Sequence, residues 1–162
     1  MSEIRCRALT LEDSLDVLGW RNDPFTRRMS LNENIISKIE HSDWFAKMLA
    51  SDVDIGLIGE MDRSKVGVVF FKIENFHALV SINLNPLYRG KKLAATLLRN
   101  AMHDAQKMLP NIDHFVAEIK NTNTASIKVF CQNGFKLNNK KDHSGIYSAQ
   151  SSRFGVKTDV SN

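Results

Sequence analysis

A cluster of basic residues follows directly on an apolar run in the segment Arg89-Gly90-Lys91-Lys92. The run before it, 77–84, predicts a strand, and from Gly90 to Pro110 apolar residues recur at helical spacing. The first backbone N–H groups of a helix lack intrahelical partners and carry the positive end of the helix dipole, so a phosphate group binds well there. The cluster is therefore either a phosphate site or a solvated basic helix start, and both interpretations stay open at this point.

The elements that position this turn follow from the spacing of apolar residues. Strands are predicted at 4–9, 54–61, 66–73, 77–84, 114–119, 135–139 and 145–150. Helices are predicted from Thr10 through Trp20 towards Pro24, from the capping box Ser37-x-x-Glu40, from Gly90, and over 124–132. This order predicts an α+β fold of about seven strands and about four helices, in which three consecutive strands form an antiparallel meander.

Composition limits the classes of function. The 162 residues, 43% hydrophobic, fit one domain over 1–162 with a real core, and the tail after Phe154 is expected to fray. No apolar run is long enough to span a membrane and no signal peptide is visible, so we expect a cytoplasmic protein without a membrane partner. The net charge of +4 is scattered, which argues against nucleic acid. Two cysteines without CxxC spacing predict no metal site.

Two motifs and the order of elements resemble the GCN5-related N-acetyltransferase (GNAT) superfamily. Its pyrophosphate loop, Arg/Gln-x-x-Gly-x-Gly/Ala, corresponds to Arg89 to Ala94, with Lys92 in place of the central glycine. Its signature Asn-x-x-Ser-Ile-x-x-Tyr/Phe, followed by Gly-Phe, corresponds to 123–130 and 134–135. The resemblance covers about residues 4 to 148 and implies a three-layer α/β fold around a central mixed, mostly antiparallel sheet.

The resemblance also implies acetyl-CoA as co-substrate and no metal. The coenzyme-binding residues that it indicates are Ile82, Leu84, Arg89, Gly90, Lys91, Lys92, Leu93, Ala94, Asn123, Ser126 and Phe130. Ile82 and Leu84 would bind the pantetheine arm through their backbone. Lys92 would keep a helical φ, donate its N–H and add its charge to the site.

The N-terminal half is similar to one branch of the superfamily. Its segments GWRNDPFTRRM and EHSDWF resemble the acetyltransferase of the pseudaminic-acid pathway and relatives that act on nucleotide-linked amino sugars for polysaccharide biosynthesis. If the residue roles of this branch apply to this sequence, Arg21, Met29 and His41 would contact the nucleotide of the substrate. The same elements occur in ribosomal-protein N-terminal acetyltransferases, which are the alternative. Structural roles also stay open, with Arg21 paired to a carboxylate and Trp44 and Phe45 in the core.

The reaction requires a neutral amine to attack the thioester. Glu118, on the strand before the second motif, is our candidate base, with Glu74 as a second choice. Phe130 replaces the tyrosine that often protonates the leaving thiolate, so Tyr88 and Tyr147 are the only tyrosines that could serve, and Tyr147 is our candidate. Because Lys92 and Phe130 both depart from the family pattern, a non-catalytic acyl-CoA-binding module is a further alternative. The sequence leaves open whether the protein is a homodimer.

Overall fold

The computed structural model describes residues 2–155. Those residues form one seven-stranded sheet with five α-helices around it. The strands are β1 (Arg5–Ala8), β2 (Ile55–Met61), β3 (Ser64–Glu74), β4 (His77–Leu84), β5 (His114–Lys120), β6 (Lys136–Lys140) and β7 (Ser144–Gln150). The helices are α1 (Ser14–Asn22), α2 (Pro24–Met29), α3 (Lys38–Ala50), α4 (Ala94–Met108) and α5 (Thr124–Gln132). The expected frayed tail lies outside the described residues, apart from Gly155.

The strand order in the sheet is β1-β2-β3-β4-β5-β7-β6, and every neighbouring pair is antiparallel except β4 and β5. The predicted meander of β2, β3 and β4 is confirmed. Its first turn uses Asp62 and Arg63, which both have a positive φ. A two-residue hairpin turn of this hand matches the twist of the strands it joins. The mostly antiparallel sheet predicted from the sequence is therefore confirmed.

Helices cover both faces of the sheet. On one face, α4 and α5 pack in the larger core, where Leu97, Met102 and Phe130 meet Val69 and Phe71 of the sheet. On the other face, a second core joins α1 and α3 to the alternate residues of the sheet, and its members include Val17, Trp20, Phe45, Val68 and Phe70. This three-layer arrangement follows from the period of two in β3, which points successive side chains to opposite faces.

The two parallel strands pair over only part of their length. β4 and β5 are matched from His77 opposite His114 to Leu79 opposite Val116, and no further. Both strands continue beyond that point, β4 paired with β3 and β5 paired with β7 on their outer sides. The strands therefore diverge, and their facing edges present backbone N–H and C=O groups to the gap.

Two local features differ from the sequence prediction. α4 begins at Ala94 and not at Gly90, because Gly90 and Lys92 have φ values of +72° and +59°, which a right-handed helix excludes. The helix α2 was not predicted. It forms because Pro24 suits the first helical position and the Asp23 carboxylate accepts from the Thr26 N–H at 3.1 Å.

Candidate active site

A cavity of about 990 Å³ opens where β4 and β5 diverge. Its walls come from the ends of these two strands, the turn before α4, the first turns of α5, and the segment from α1 through α2. The parallel pairing of β4 with β5 brings together motifs that are far apart in the sequence. The cavity is thus the place where a ligand can reach both motifs.

Most of the predicted coenzyme-binding residues line this cavity. They are Ile82, Leu84, Arg89, Gly90, Lys92, Leu93, Ala94, Asn123, Ser126 and Phe130. Lys91 is the one that does not, because its ammonium group lies over the Tyr88 ring, 5.1 Å from the centroid. Tyr88 itself lines the cavity.

The backbone of Lys92 differs from our expectation of a helical φ. Its φ of +59° is in the left-handed region, which costs a residue with a side chain about 1–2 kcal/mol relative to the right-handed helix. The family pattern has glycine at this position, and the physical reason is this backbone conformation. The cavity nevertheless gains the Lys92 ammonium group.

Arg89 connects the turn before α4 to α2. Its guanidinium pairs with the Asp23 carboxylate, donates to the Thr26 hydroxyl at 2.8 Å, and lies 4.9 Å from the centre of the Phe25 ring. Burial by itself would raise the pKa of Asp23, but hydrogen bonds from Arg89 and from the Thr26 N–H, with the Arg89 charge, hold that pKa below its ordinary value. Arg89 is therefore held by α2 next to the cavity.

Asn123 caps α5, as its position before that helix suggests, and it also contacts the end of α2. Its side-chain oxygen accepts from the Ser126 N–H at 3.1 Å, and its amide nitrogen donates to the Met29 carbonyl at 3.3 Å. Lys120 at the end of β5 donates to the Arg28 carbonyl at 2.9 Å. The C-terminal end of α2 is thus attached to the β5 side of the cavity.

Arg21 lines the cavity from α1 and pairs with no carboxylate among residues 2–155. One of its nitrogens, Nη2, donates to the Asn32 carbonyl at 2.6 Å. The other, Nη1, is buried and has no hydrogen-bond partner in that range. Burial, with repulsion from Arg27, lowers the pKa of Arg21. A guanidinium with one buried, unpaired nitrogen and no counter-charge favours an anion as partner. Met29 lines the same part of the cavity.

His41 does not line the cavity. Its side chain is buried against α1, where Nε2 lies 2.8 Å from the Ser14 carbonyl oxygen, and its ring packs on Trp44 and Phe45. Burial lowers the pKa of this imidazole. The motif therefore places His41 in a structural position between two helices. Phe45 belongs to the core as expected, whereas Trp44 is 42% exposed.

Among the acid–base candidates, Glu118 lines the cavity and is its one carboxylate within residues 2–155. Oε1 of Glu118 accepts from the Ser144 hydroxyl at 2.7 Å and from the Lys141 ammonium at 3.0 Å. These hydrogen bonds hold the pKa of Glu118 below its ordinary value, so the group is a carboxylate at neutral pH.

The other two candidates lie elsewhere. Tyr147 on β7 is only 8% exposed, belongs to the larger core and does not line the cavity. Glu74 ends β3 beside His77, also away from the cavity. Tyr88 is thus the tyrosine that borders the cavity.

The charges around the cavity are unequal. Among residues 2–155, five basic residues and the one carboxylate of Glu118 line it, and the basic residues are Arg21, Arg89, Lys92, Lys120 and Lys128. Arg89 pairs with Asp23 and Lys120 with Glu33, so Arg21, Lys92 and Lys128 are the three without a carboxylate partner in this range. Sequence reasoning missed Lys120 and Lys128. Lys120 continues the alternation of β5 two residues after Glu118, and Lys128 lies five residues after Asn123 on α5, so both could have been found by extending the element around each motif.

Residues 3–136 match the Acetyltransferase (GNAT) domain family, and the chain belongs to this family. The protein is therefore an acetyl-CoA-dependent N-acetyltransferase, as the sequence motifs predicted, and acetyl-CoA is its co-substrate. No curated protein matches the chain.

Solved structures show the same fold. Spermidine N-acetyltransferase from Vibrio cholerae, in complex with CoA and spermine, is similar at a TM-score of 0.80 and 17% identity over 94% of this chain and 98% of that one. An N-acetyltransferase from Staphylococcus aureus Mu50 is similar at a TM-score of 0.76 and 21% identity, over 93% of this chain and 99% of that one. A GNAT-family acetyltransferase from Streptococcus pneumoniae is similar at a TM-score of 0.72 and 16% identity, over 91% of this chain and 99% of that one.

Residues 2–155 contain neither a helix suited to a membrane nor a cluster suited to a metal ion. None of the helices there has the length and apolar character that crossing a membrane requires. No group of three or more His, Cys, Asp or Glu side chains in that range is arranged to hold a metal ion.

Proposed function

We propose that the protein transfers the acetyl group of acetyl-CoA to the amino group of a nucleotide-linked amino sugar, of the UDP-4-amino-4,6-dideoxy-sugar type. The observation that carries this proposal is the charge of the cavity, which is lined by three basic residues, Arg21, Lys92 and Lys128, that pair with no carboxylate of residues 2–155. The coenzyme phosphates account for part of this excess. Arg21 is half-buried, its Nη1 is buried without a hydrogen-bond partner and it has no carboxylate partner in the described chain, which favours an acceptor that is itself anionic.

Each half of the reaction uses a different part of the cavity. The N–H groups of the turn from Gly90 to Ala94 would hold the pyrophosphate, and the open edge of β4 at Ile82 and Leu84 would hold the pantetheine arm. On the other side, Arg21 would bind an acceptor phosphate and Met29 would pack on the base. Amine and thioester would then meet in the gap between β4 and β5.

The chemistry is a direct transfer. The lone pair of the neutral amine forms the C–N bond with the thioester carbonyl carbon, the C–S bond breaks, and CoA leaves as a thiolate. The proton lost by the nitrogen passes through water to Glu118 or to solvent. Because Glu118 is held as a carboxylate, it also stabilises the positive charge that develops on the attacking nitrogen.

The coenzyme thiolate is a good leaving group. A thiol with a pKa of about 8.5 is stable enough as an anion to depart without a dedicated acid. Phe130 offers no proton, and Tyr147 lies in the core. Tyr88 is the tyrosine at the cavity, and solvent can protonate the free thiolate.

A peptide amine and a polyamine are the two alternative acceptors. The segments around Trp20 and His41 are shared with N-terminal acetyltransferases, so a peptide amine is the main rival. The spermidine N-acetyltransferase that shares this fold suggests a polyamine. A polyamine carries several positive charges, and the basic excess of this cavity disfavours it.

Turnover distinguishes the three acceptors. Thiol release from acetyl-CoA is measured with a UDP-4-amino-4,6-dideoxyhexose, with peptides that carry a free N-terminus, and with spermidine. The proposal expects the highest kcat/KM for the sugar nucleotide. A higher kcat/KM for a peptide or for spermidine would overturn it.

A further inference from the structure

The Glu118 carboxylate is held asymmetrically. Both of its side-chain hydrogen bonds reach Oε1, from the Ser144 hydroxyl at 2.7 Å and from the Lys141 ammonium at 3.0 Å. No side chain of residues 2–155 donates to Oε2. Ser144 is only 4% exposed, so its hydroxyl is a fixed donor inside the fold.

The turn that carries both donors is itself fixed. The Lys141 N–H donates to the Ser144 carbonyl at 2.8 Å, which closes the turn between β6 and β7. From the segment after β5, the Asn121 N–H donates to the His143 carbonyl at 2.9 Å and the Asn121 side-chain amide donates to the Asp142 carbonyl at 3.2 Å. The turn is therefore attached to the end of the strand that carries Glu118.

We infer that Lys141 and Ser144 are positioning residues for acetyl transfer, which hold Oε1 of Glu118 and leave Oε2 directed to the acceptor nitrogen. This inference rests on the role that the proposed function gives to Glu118. A carboxylate with one oxygen fixed by two donors loses the freedom to rotate, so its second oxygen meets the amine in one geometry.

The charges near Glu118 agree with this division of roles. Lys141 approaches Glu118 from the β6–β7 turn and Ser144 from β7, and the residues of β4 that line the cavity, 80–84, are all uncharged. The other charged groups of the cavity are Arg21, Arg89, Lys92, Lys120 and Lys128. Lys120 is held by Glu33 at 3.3 Å and by the Arg28 carbonyl. Lys141 is thus the cation that bonds the carboxylate directly.

The test uses variants that remove one donor each. Lys141→Met and Ser144→Ala are compared with Lys140→Met, which removes a neighbouring exposed charge that does not line the cavity, and with Lys141→Arg, which keeps a donor. The pKa of Glu118 is measured by carbon NMR on the labelled protein, with Glu118→Gln to assign the signal. Activity is measured with acetyl-CoA and a UDP-4-amino-4,6-dideoxyhexose.

We expect Lys141→Met and Ser144→Ala to raise the pKa of Glu118 and to lower kcat about tenfold with little change in the KM for acetyl-CoA. Lys140→Met should match wild type and Lys141→Arg should recover most of the loss. An unmoved Glu118 pKa in a folded Lys141→Met protein would overturn the inference, and so would a raised pKa with unchanged kcat. Absence of turnover in wild type, with the Glu118 pKa moving as expected, would place the failure in the proposed function.

Discussion

Lys92 combines a left-handed backbone with a charge that lines the cavity. These two properties have separate consequences for stability and for binding. The left-handed conformation slightly lowers the free energy of unfolding, and the ammonium group adds a cation near the expected pyrophosphate site. Replacing Lys92 by glycine and by alanine separates the two effects, since both remove the charge but only glycine relieves the backbone.

We predict that Lys92→Gly is more stable than Lys92→Ala by about 1 kcal/mol, because the left-handed backbone suits glycine. Urea unfolding measures this difference. Both variants should raise the Kd of coenzyme A by a similar factor, since both lose the ammonium group. Lys91→Ala, which removes a charge that does not line the cavity, is the control. Equal stability of the glycine and alanine variants would contradict the conformational argument.

Asp13 is a second residue with a distinct contribution. Its side chain is 1% exposed and accepts from the Arg7 guanidinium at 2.8 and 2.9 Å, with Lys65 2.9 Å away. Burial alone would raise the pKa of Asp13, but these hydrogen bonds and that of the Thr10 N–H hold it well below its ordinary value. The folded state therefore binds this proton less readily than the unfolded state does.

The stability from Asp13 should be complete above about pH 4, the ordinary carboxyl range, and should be lost progressively as the pH falls further. We predict that Asp13→Asn lowers the free energy of unfolding near neutral pH by about 2 kcal/mol, because it removes charge-assisted hydrogen bonds to a buried carboxylate, while Arg7 keeps Glu60 and Lys65 keeps Asp16 as partners. Urea unfolding between neutral pH and pH 3 checks both statements. An equally steep acid loss in wild type and Asp13→Asn would exclude Asp13 as the cause.

At the scale of elements, α2 lies across the cavity and is attached on both sides. Arg89 reaches it from the turn before α4, and Asn123 and Lys120 reach its C-terminal end from the β5 side. Arg89 is also expected to bind the coenzyme pyrophosphate. Asp23 and the coenzyme therefore compete for the same guanidinium.

We predict that Asp23→Asn tightens coenzyme A binding, by roughly two- to tenfold, because asparagine keeps an oxygen that can cap α2 but gives up the charge that holds Arg89. Isothermal titration calorimetry measures the Kd. Arg89→Ala should instead weaken binding. If Asp23→Asn also weakens it, Asp23 orients Arg89 for the coenzyme rather than competing with it.

The elements differ in how far the sequence predicts them. The bounds of α5 were predicted to the residue, because Asn123 caps it and Gly134, with a φ of +85°, ends it. α2 was missed because six residues next to a proline show no apolar period. The site residues follow the same rule. The position of Glu118 at the cavity could be expected from the sequence because strand alternation is local, whereas the burial of His41 and Tyr147 depends on how helices and strands pack together.

At the scale of the whole molecule, the cavity links both halves of the chain, so a ligand that fills it should stabilise the fold as a unit. Coenzyme A at about 100 times its Kd should add about 2.7 kcal/mol, or roughly 5–10 °C in Tm for a protein of this size. Thermal melting with and without acetyl-CoA measures this shift. An unmoved Tm at millimolar acetyl-CoA would contradict the assignment of the cavity to the coenzyme.

If the acceptor carries a nucleotide, as we propose, free nucleotides that bind in its place should inhibit acetyl transfer. Acetyl transfer is measured with UDP, CMP and GDP present, in wild type, in Arg21→Ala and in Arg28→Ala, where Arg28 is an exposed arginine of α2 that does not line the cavity. We predict competition by UDP against the acceptor, a loss of this competition in Arg21→Ala alone, and a fall in kcat/KM of roughly 10- to 150-fold in that variant at unchanged coenzyme affinity. Absence of inhibition by every nucleotide at millimolar concentration would contradict the claim and favour a peptide acceptor.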